Sequence, residues 1–374
     1  MVARHPVKMK VGGSNPPGGA RFKLSPIKGF YYNQSILMDE TIFLADFKNL
    51  NASNPDACNK FFEDYGIGND IIQSSFTLER LEGYENLLNK LLTVDTQKYI
   101  ASHKGTPYYF LGWLCFDIGH FSRAYFYFDL AVYEDRWHLH GNNDVTGWMN
   151  DPGAEIMLVK ETGAGTAGRI RQKNYQVIKD ALDGFSKDGG NNVTVDQFRE
   201  KFLKKVLQTS LNPRSTKNFR PVVCSLFSFL MSYEDRVLDL KLRAIQNGSV
   251  EPFLTHIFLG CLVFESLMKM KYATNNGKKT LGNYISNAIL KKRLGISKKI
   301  SAHNYTFQEV INKLNSFEKK GNFAEVSVGL TYMLRNTTGH SLIWPDRLGE
   351  QIYIRLYKHI RNAILLLVSR EYLS

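Results

Sequence analysis

From Asp39 onward apolar residues return every three or four positions, and short clusters of Gly, Asn, Pro and Asp interrupt the pattern. That spacing predicts amphipathic helices joined by tight breaks. Over Thr77–Val94 it puts Leu78, Leu81, Tyr84, Leu88 and Leu91 on one face. Pro107–Val132 predicts two helices meeting at Gly119, and Arg171–Phe185 predicts another. Val195–Leu211 follows behind a Thr194 cap, then Val222–Ile245 behind Pro221. Beyond Asn247-Gly248-Ser249 come helices at about 251–272, 280–294, 306–320, 323–344 and 347–371. No segment alternates for long, so the expected fold class is all-α.

The breaks also suggest domains. Residues 1–37 hold Gly12-Gly13, the Pro16-Pro17-Gly18-Gly19 cluster and Pro26, and are expected to be a disordered tail. His5 to Gly19 is similar to the conceptual translation of a tRNA gene, which makes Met38 the expected natural start. Residues 38–248 are read as a helical domain with a loop-rich insert at 138–192, and 249–374 as a five-helix bundle of ordinary domain size. Within the first domain, Leu111-Gly112, Gly119, Ala124, Phe128 and Ala131 are spaced so that small residues admit a close helix pair which Phe128 fills. This hairpin, at about 105–138, resembles a single tetratricopeptide repeat. The resemblance implies partly degenerate neighbouring helices and a possible protein partner for them. The run Gly163 to Gly168 lacks the Gly-Lys-Ser/Thr ending of a phosphate loop and is read as a loop.

Charge adds a location for function. The net charge of +13 belongs to the ends: 18 basic against 8 acidic residues from Ser249 to Ser374, and 6 against none in the first 37. Between Lys269 and Ile300 there are nine basic residues and no acid. An unbalanced stretch of this kind attracts polyanions, and Lys278, Lys279, Lys291, Lys292, Arg293, Lys298 and Lys299 are the expected RNA-binding set; a merely solubilising face is the alternative. No apolar run reaches membrane-spanning length uninterrupted, because His256 and Glu265 punctuate Phe253–Met270. No secretory leader is evident. Four scattered cysteines fit buried free thiols in a reducing compartment, so the expected location is cytoplasmic, with no membrane partner. His138 and His140 with Asp144 make a weak metal signal; the expectation is no metal and no cofactor.

The chemistry-bearing stretch is Arg335-Asn336-Thr337-Thr338-Gly339-His340, in the middle of the helix predicted over Phe323–Trp344. Phe323, Val326, Leu330, Met333, Leu334 and Trp344 form its apolar stripe. Two β-branched residues and a glycine cost about 2 kcal/mol of helix propensity relative to alanine. Such local rule-breaking usually marks function. Asn336 and His340 share a face, with Arg335 one step around the turn. Glu265, an acid in an apolar helix, needs a cation, and Arg335 is the candidate.

The run resembles the Arg-polar-x-x-x-His motif of the HEPN superfamily, and the resemblance covers about 249–374. It implies a metal-independent endoribonuclease of a toxin or anti-phage defence system, with Arg335, Asn336 and His340 catalytic. Two such domains typically face one cleft, which implies a homodimer through this domain. Both catalytic side chains are then expected to line an open cleft, so that replacing them spares stability. A non-catalytic helical RNA- or protein-binding module is the alternative, with Arg335 and His340 structural.

Overall fold

The structure is a computed structural model that describes residues 31–32, 36–37, 39–68, 77–141, 144, 146–161, 167–212, 214–246, 248–272, 280–297, 305–340 and 348–374. Among these the chain is all-helical apart from one short antiparallel pair, Tyr31 opposite Leu37 and Tyr32 opposite Ile36. That pair falls inside the tail expected to be disordered; the remainder of residues 1–37 lies outside the described residues, as does Met38.

Helices α1 (Glu40–Asn49) and α2 (Pro55–Asp64) start where Asp39 and Asn54 accept hydrogen bonds from the first-turn amides. They bury Phe43, Phe47, Phe61 and Phe62 together. Helices α3 (Thr77–Val94) and α4 (Thr96–Ala101) follow. Leu81, Tyr84, Leu88 and Leu91 are buried as expected, whereas Leu78 is exposed in the first turn. Helices α5 (Gly105–Asp117) and α6 (Phe121–His138) form the expected hairpin, which turns at Gly119 with φ +76°. A Cβ on Gly112 would lie 2.6 Å from two ring carbons of Phe128, so the glycine sets how closely the pair approaches.

The insert contributes to the core. A 3-10 turn (Gly147–Asn150) and α7 (Pro152–Met157) bury Trp148, Ile156, Met157, Leu158 and Val159. Helix α8 (Ala167–Lys187) is followed by α9 (Val195–Phe198), started by a Thr194–Gln197 capping box, a π-helical turn (Arg199–Leu203) and α10 (Lys204–Leu211). The single helix predicted over 222–245 is two, α11 (Arg220–Met231) and α12 (Tyr233–Gln246). Across the break Tyr233 stacks on Tyr357, ring centroids 3.8 Å apart.

The last third comprises α13 (Glu251–Tyr272), α14 (Leu281–Ile285), α15 (Ala288–Leu294), α16 (Phe307–Lys320), α17 (Phe323–His340) and α18 (Glu350–Glu371). The helix predicted at 280–294 is divided because Asn287 leaves the helix to cap the amides of Ile289 and Leu290. Gly295, left-handed at φ +75°, ends α15. Helix α13 is long and apolar enough to cross a membrane by length and composition, contrary to the sequence reading. Here it is the core helix, packed by α11, α17 and α18. Gly260 lets Phe229 and Ile360 close on it from two sides.

Buried apolar side chains form one continuous cluster from Phe43 to Leu373 that runs across the break at 247–249. Polar ties reinforce the crossing: Asn191 to Ser369 at 3.1 Å, Lys201 to the Leu373 carbonyl at 2.9 Å, and Arg361 to Asp188 at 2.6 Å.

Candidate functional site

Helix α17 carries the Arg-Asn-Thr-Thr-Gly-His run, and its backbone stays helical through His340. Upstream, Val326, Leu330, Met333 and Leu334 are buried against the bundle, and Phe323 is half-buried. This packing holds a stretch whose propensity disfavours helix. Arg335, Asn336 and Thr337 are half-buried at the point where α17 leaves the core. Thr337 Oγ1 donates within reach of the carbonyls of Met333 and Tyr305, at 2.9 and 2.8 Å, tying the turn to the segment before α16. The side chains of 338–340, His340 included, lie outside the described residues, as does Trp344.

Arg335 meets Glu265 of α13. Its Nε donates to Oε2 at 2.5 Å and its Nη2 to Oε1 at 3.3 Å, while Lys269 Nζ sits 2.7 Å from Oε1. Burial alone would raise the Glu265 pKa, but hydrogen bonds from Arg335 and Lys269 outweigh it and hold the carboxyl below its ordinary value. The pairing inferred for Glu265 from the sequence is therefore present. Two cations share one buried carboxylate beside the candidate turn, and Lys313 adds a third nearby, 3.8 Å above the ring of Tyr305.

Of the expected RNA-binding set, Lys291, Lys292 and Arg293 lie on α15, while Lys278, Lys279, Lys298 and Lys299 fall outside the described residues. Lys292 and Arg293 are exposed. Arg293 is tied to buried Glu371 at 3.2 Å, and Lys271 donates to the Glu371 carbonyl at 2.5 Å. Clefts of about 760 and 560 Å³ flank α15, the first bordered by Lys292, Arg293 and Arg370, the second by Lys291, Lys292 and Ser297. Lys271 is six residues beyond Glu265, about 9 Å along α13. The Arg335 pair and the basic helix thus adjoin the same end of the core helix.

His138 and His140 are drawn into pairs within their own segment. His140 lies between Asp151 at 2.7 Å and Asp144 at 3.3 Å, and His138 lies 3.5 Å from Glu134. Among the described residues no group of three His, Cys, Asp or Glu side chains converges as a metal set. Sequence reasoning missed a buried polar cluster at the start of the hairpin: His103 to Asp135 at 2.8 Å, His103 to Asn59 at 3.1 Å, and Lys104 to Glu134 at 3.1 Å. Burial lowers Lys104 and raises Glu134. Partners 30 to 44 positions apart leave no local signal. Comparison with family models, curated proteins and solved structures finds no match.

Proposed function

We propose that the chain is a metal-independent endoribonuclease of HEPN type, acting in a toxin or anti-phage defence setting. The observation that supports this most is the helical continuity of α17 across Thr337-Thr338-Gly339 to His340, which keeps Asn336 and His340 on one face beside Arg335. Positive charge gathers there from Arg335 and Lys269, and an exposed basic helix lies at the same end of α13.

The reaction needs residues of these types. A base takes the proton of the ribose 2′-hydroxyl, whose oxygen bonds to the adjacent phosphorus; the bond from phosphorus to the 5′-oxygen breaks, and an acid protonates that leaving oxygen. His340, of a type that titrates near neutrality, takes a proton role. Arg335 steadies charge on the pentavalent phosphorus, with Glu265 fixing the plane of its guanidinium. Asn336 orients phosphate or imidazole. One chain supplies one motif histidine, so the two proton roles call for a second copy, and a homodimer with both motifs at one cleft is part of the proposal. The products are a 2′,3′-cyclic phosphate and a 5′-hydroxyl. Analysis of fragment ends after digestion of total RNA in EDTA tests this; 5′-phosphate ends would refute it.

A second reading, a non-catalytic RNA- or protein-binding module, is favoured by one observation: Glu265 already engages Arg335 at two points. On that reading RNA is bound and left intact.

A further inference from the structure

The N-terminal half of α17 borders a separate cleft of about 530 Å³, lined also by α16, α18 and Asp188 in the turn after α8. Two of its lining side chains, His359 and Ser327, are buried and polar. His359 turns Nε2 to Glu318 Oε1 at 2.9 Å. Burial would raise the Glu318 carboxyl, but hydrogen bonds from Arg355 and His359 keep it below its ordinary value and hence ionised. An ionised carboxylate only accepts, so Nε2 carries the ring proton. Burial also pushes His359 down, which keeps the ring neutral and leaves Nδ1 a bare acceptor. Among the described residues Nδ1 has no hydrogen-bond partner, and neither has the Ser327 hydroxyl, although His359 is 6% and Ser327 1% exposed. Two uncompensated polar atoms at one cleft are unusual enough to ask what satisfies them.

The rest of the cleft narrows the answer. Phe323, four residues before Ser327 on the same helix face, contributes a half-buried aromatic ring. At the rim Arg355 and Lys358 are partly exposed, paired with Glu318 at 2.6 Å and Asp188 at 2.9 Å. An acceptor, a hydroxyl donor, a stacking surface and rim cations together suit a planar ring with an N–H beside a C=O and a phosphate attached.

We propose that this cleft binds a lactam nucleobase, uracil or guanine, whose ring N–H donates to His359 Nδ1 and whose neighbouring carbonyl accepts from Ser327. The base face lies on Phe323, and its phosphate points to Arg355 and Lys358. Adenine and cytosine present a bare ring nitrogen at the corresponding edge, so they leave Nδ1 facing another acceptor. Both atoms are shielded from solvent, so binding asks the lining to yield, and satisfying two buried polar atoms favours that. Ser327 precedes Arg335 by eight residues, about 12 Å along α17. The inference rests on the ribonuclease proposal only for RNA as the source of the base, not for base binding itself.

The test is calorimetric titration of the full chain with UMP, GMP, CMP and AMP. Saturable binding of UMP and GMP, with CMP and AMP about tenfold weaker or more, is the expected result, since one unmade buried hydrogen bond costs about a factor of ten. Ser327→Ala, a change small enough to preserve the fold, should weaken UMP about tenfold on the same grounds. Phe323→Leu should weaken all four nucleotides. Equal binding of the four, no binding at millimolar nucleotide, or an unaltered UMP affinity in Ser327→Ala would overturn the pocket. A uridine-rich oligonucleotide that displaces UMP supports RNA as occupant. UMP binding without such displacement supports the same pocket filled by a free nucleotide. Loss of RNA cleavage in a His340 variant that still binds UMP separates this inference from the catalytic proposal.

Discussion

Arg335 holds Glu265 by two hydrogen bonds from one guanidinium edge, across the interface between α17 and the core helix α13. Glu265 is 3% exposed, so the charge it brings into the bundle is balanced chiefly by Arg335, with Lys269 reaching in from the surface. The arginine of the candidate motif is therefore structural, whatever part it takes in chemistry.

The pair gives a stability prediction that differs from what the sequence alone implies. Arg335→Ala should lower the unfolding free energy by about 1.5–3 kcal/mol, the range for a charged hydrogen bond lost from a buried partner. Arg335→Lys should recover part of that, because an ammonium cannot reproduce the two-point contact. Chemical denaturation of the three proteins measures it. Identical stabilities would mean that Glu265 does not depend on Arg335. Activity losses in Arg335 variants must accordingly be read beside their stability.

His256 provides a pH prediction. Its Nε2 lies 2.7 Å from the Phe229 carbonyl and its Nδ1 2.7 Å from the Tyr353 hydroxyl, an arrangement that uses the neutral ring. Burial pushes its pKa down to about 4 from an ordinary 6.5. The folded state thus binds this proton less readily than the unfolded state. The stability it contributes is fully present above about pH 6.5 and is lost as pH falls toward 4. The loss is on the order of 3 kcal/mol across that window, at about 1.4 kcal/mol per pKa unit. Melting curves from pH 7.5 down to 4.5 should fall more steeply for the native chain than for His256→Gln; parallel curves would remove His256 from the account.

At the hairpin, Gly112→Ala places a methyl against the Phe128 ring and should cost about 1–3 kcal/mol by overpacking. Adding Phe128→Leu should relieve the clash, so that the double variant loses less than the two single changes combined. Additive losses in thermal denaturation would show that the helices do not meet there as described.

Much of this architecture is legible in the sequence because helices announce themselves locally. Thr194 and Gly119 punctuate the chain where the periodicity places them, and α13 has the bounds its apolar run predicts. The Glu265–Arg335 pair is legible too, since a lone acid in an apolar helix demands a cation. The division of 280–294 is not, because Asn287 reads as helix or cap depending on context. Nor is the burial of Trp148 to Val159, where Gly and Pro suggest a loop but tertiary packing draws the segment inward. The cleft at His359 is assembled from three helices and the turn after α8, and no spacing along the chain brings its parts together.

For the basic helix, Lys291→Glu with Lys292→Glu should weaken binding to RNAs of any sequence and flatten its dependence on salt by about one to two units of slope. Arg293 is better left intact, because its pair with Glu371 makes its replacement a change to the fold as well as to the surface. Unchanged affinity in low salt would place the RNA surface elsewhere.

The central claim is that His340 moves a proton during RNA cleavage. It is tested most directly by the single-turnover cleavage rate of a labelled RNA in EDTA, compared between the native chain and His340→Ala at matched RNA occupancy. The account predicts a loss of about a hundredfold or more with unaltered RNA affinity, and 2′,3′-cyclic phosphate on the residual product. Equal rates in the two proteins, or no cleavage by the native chain under any condition in which it binds RNA, would contradict it.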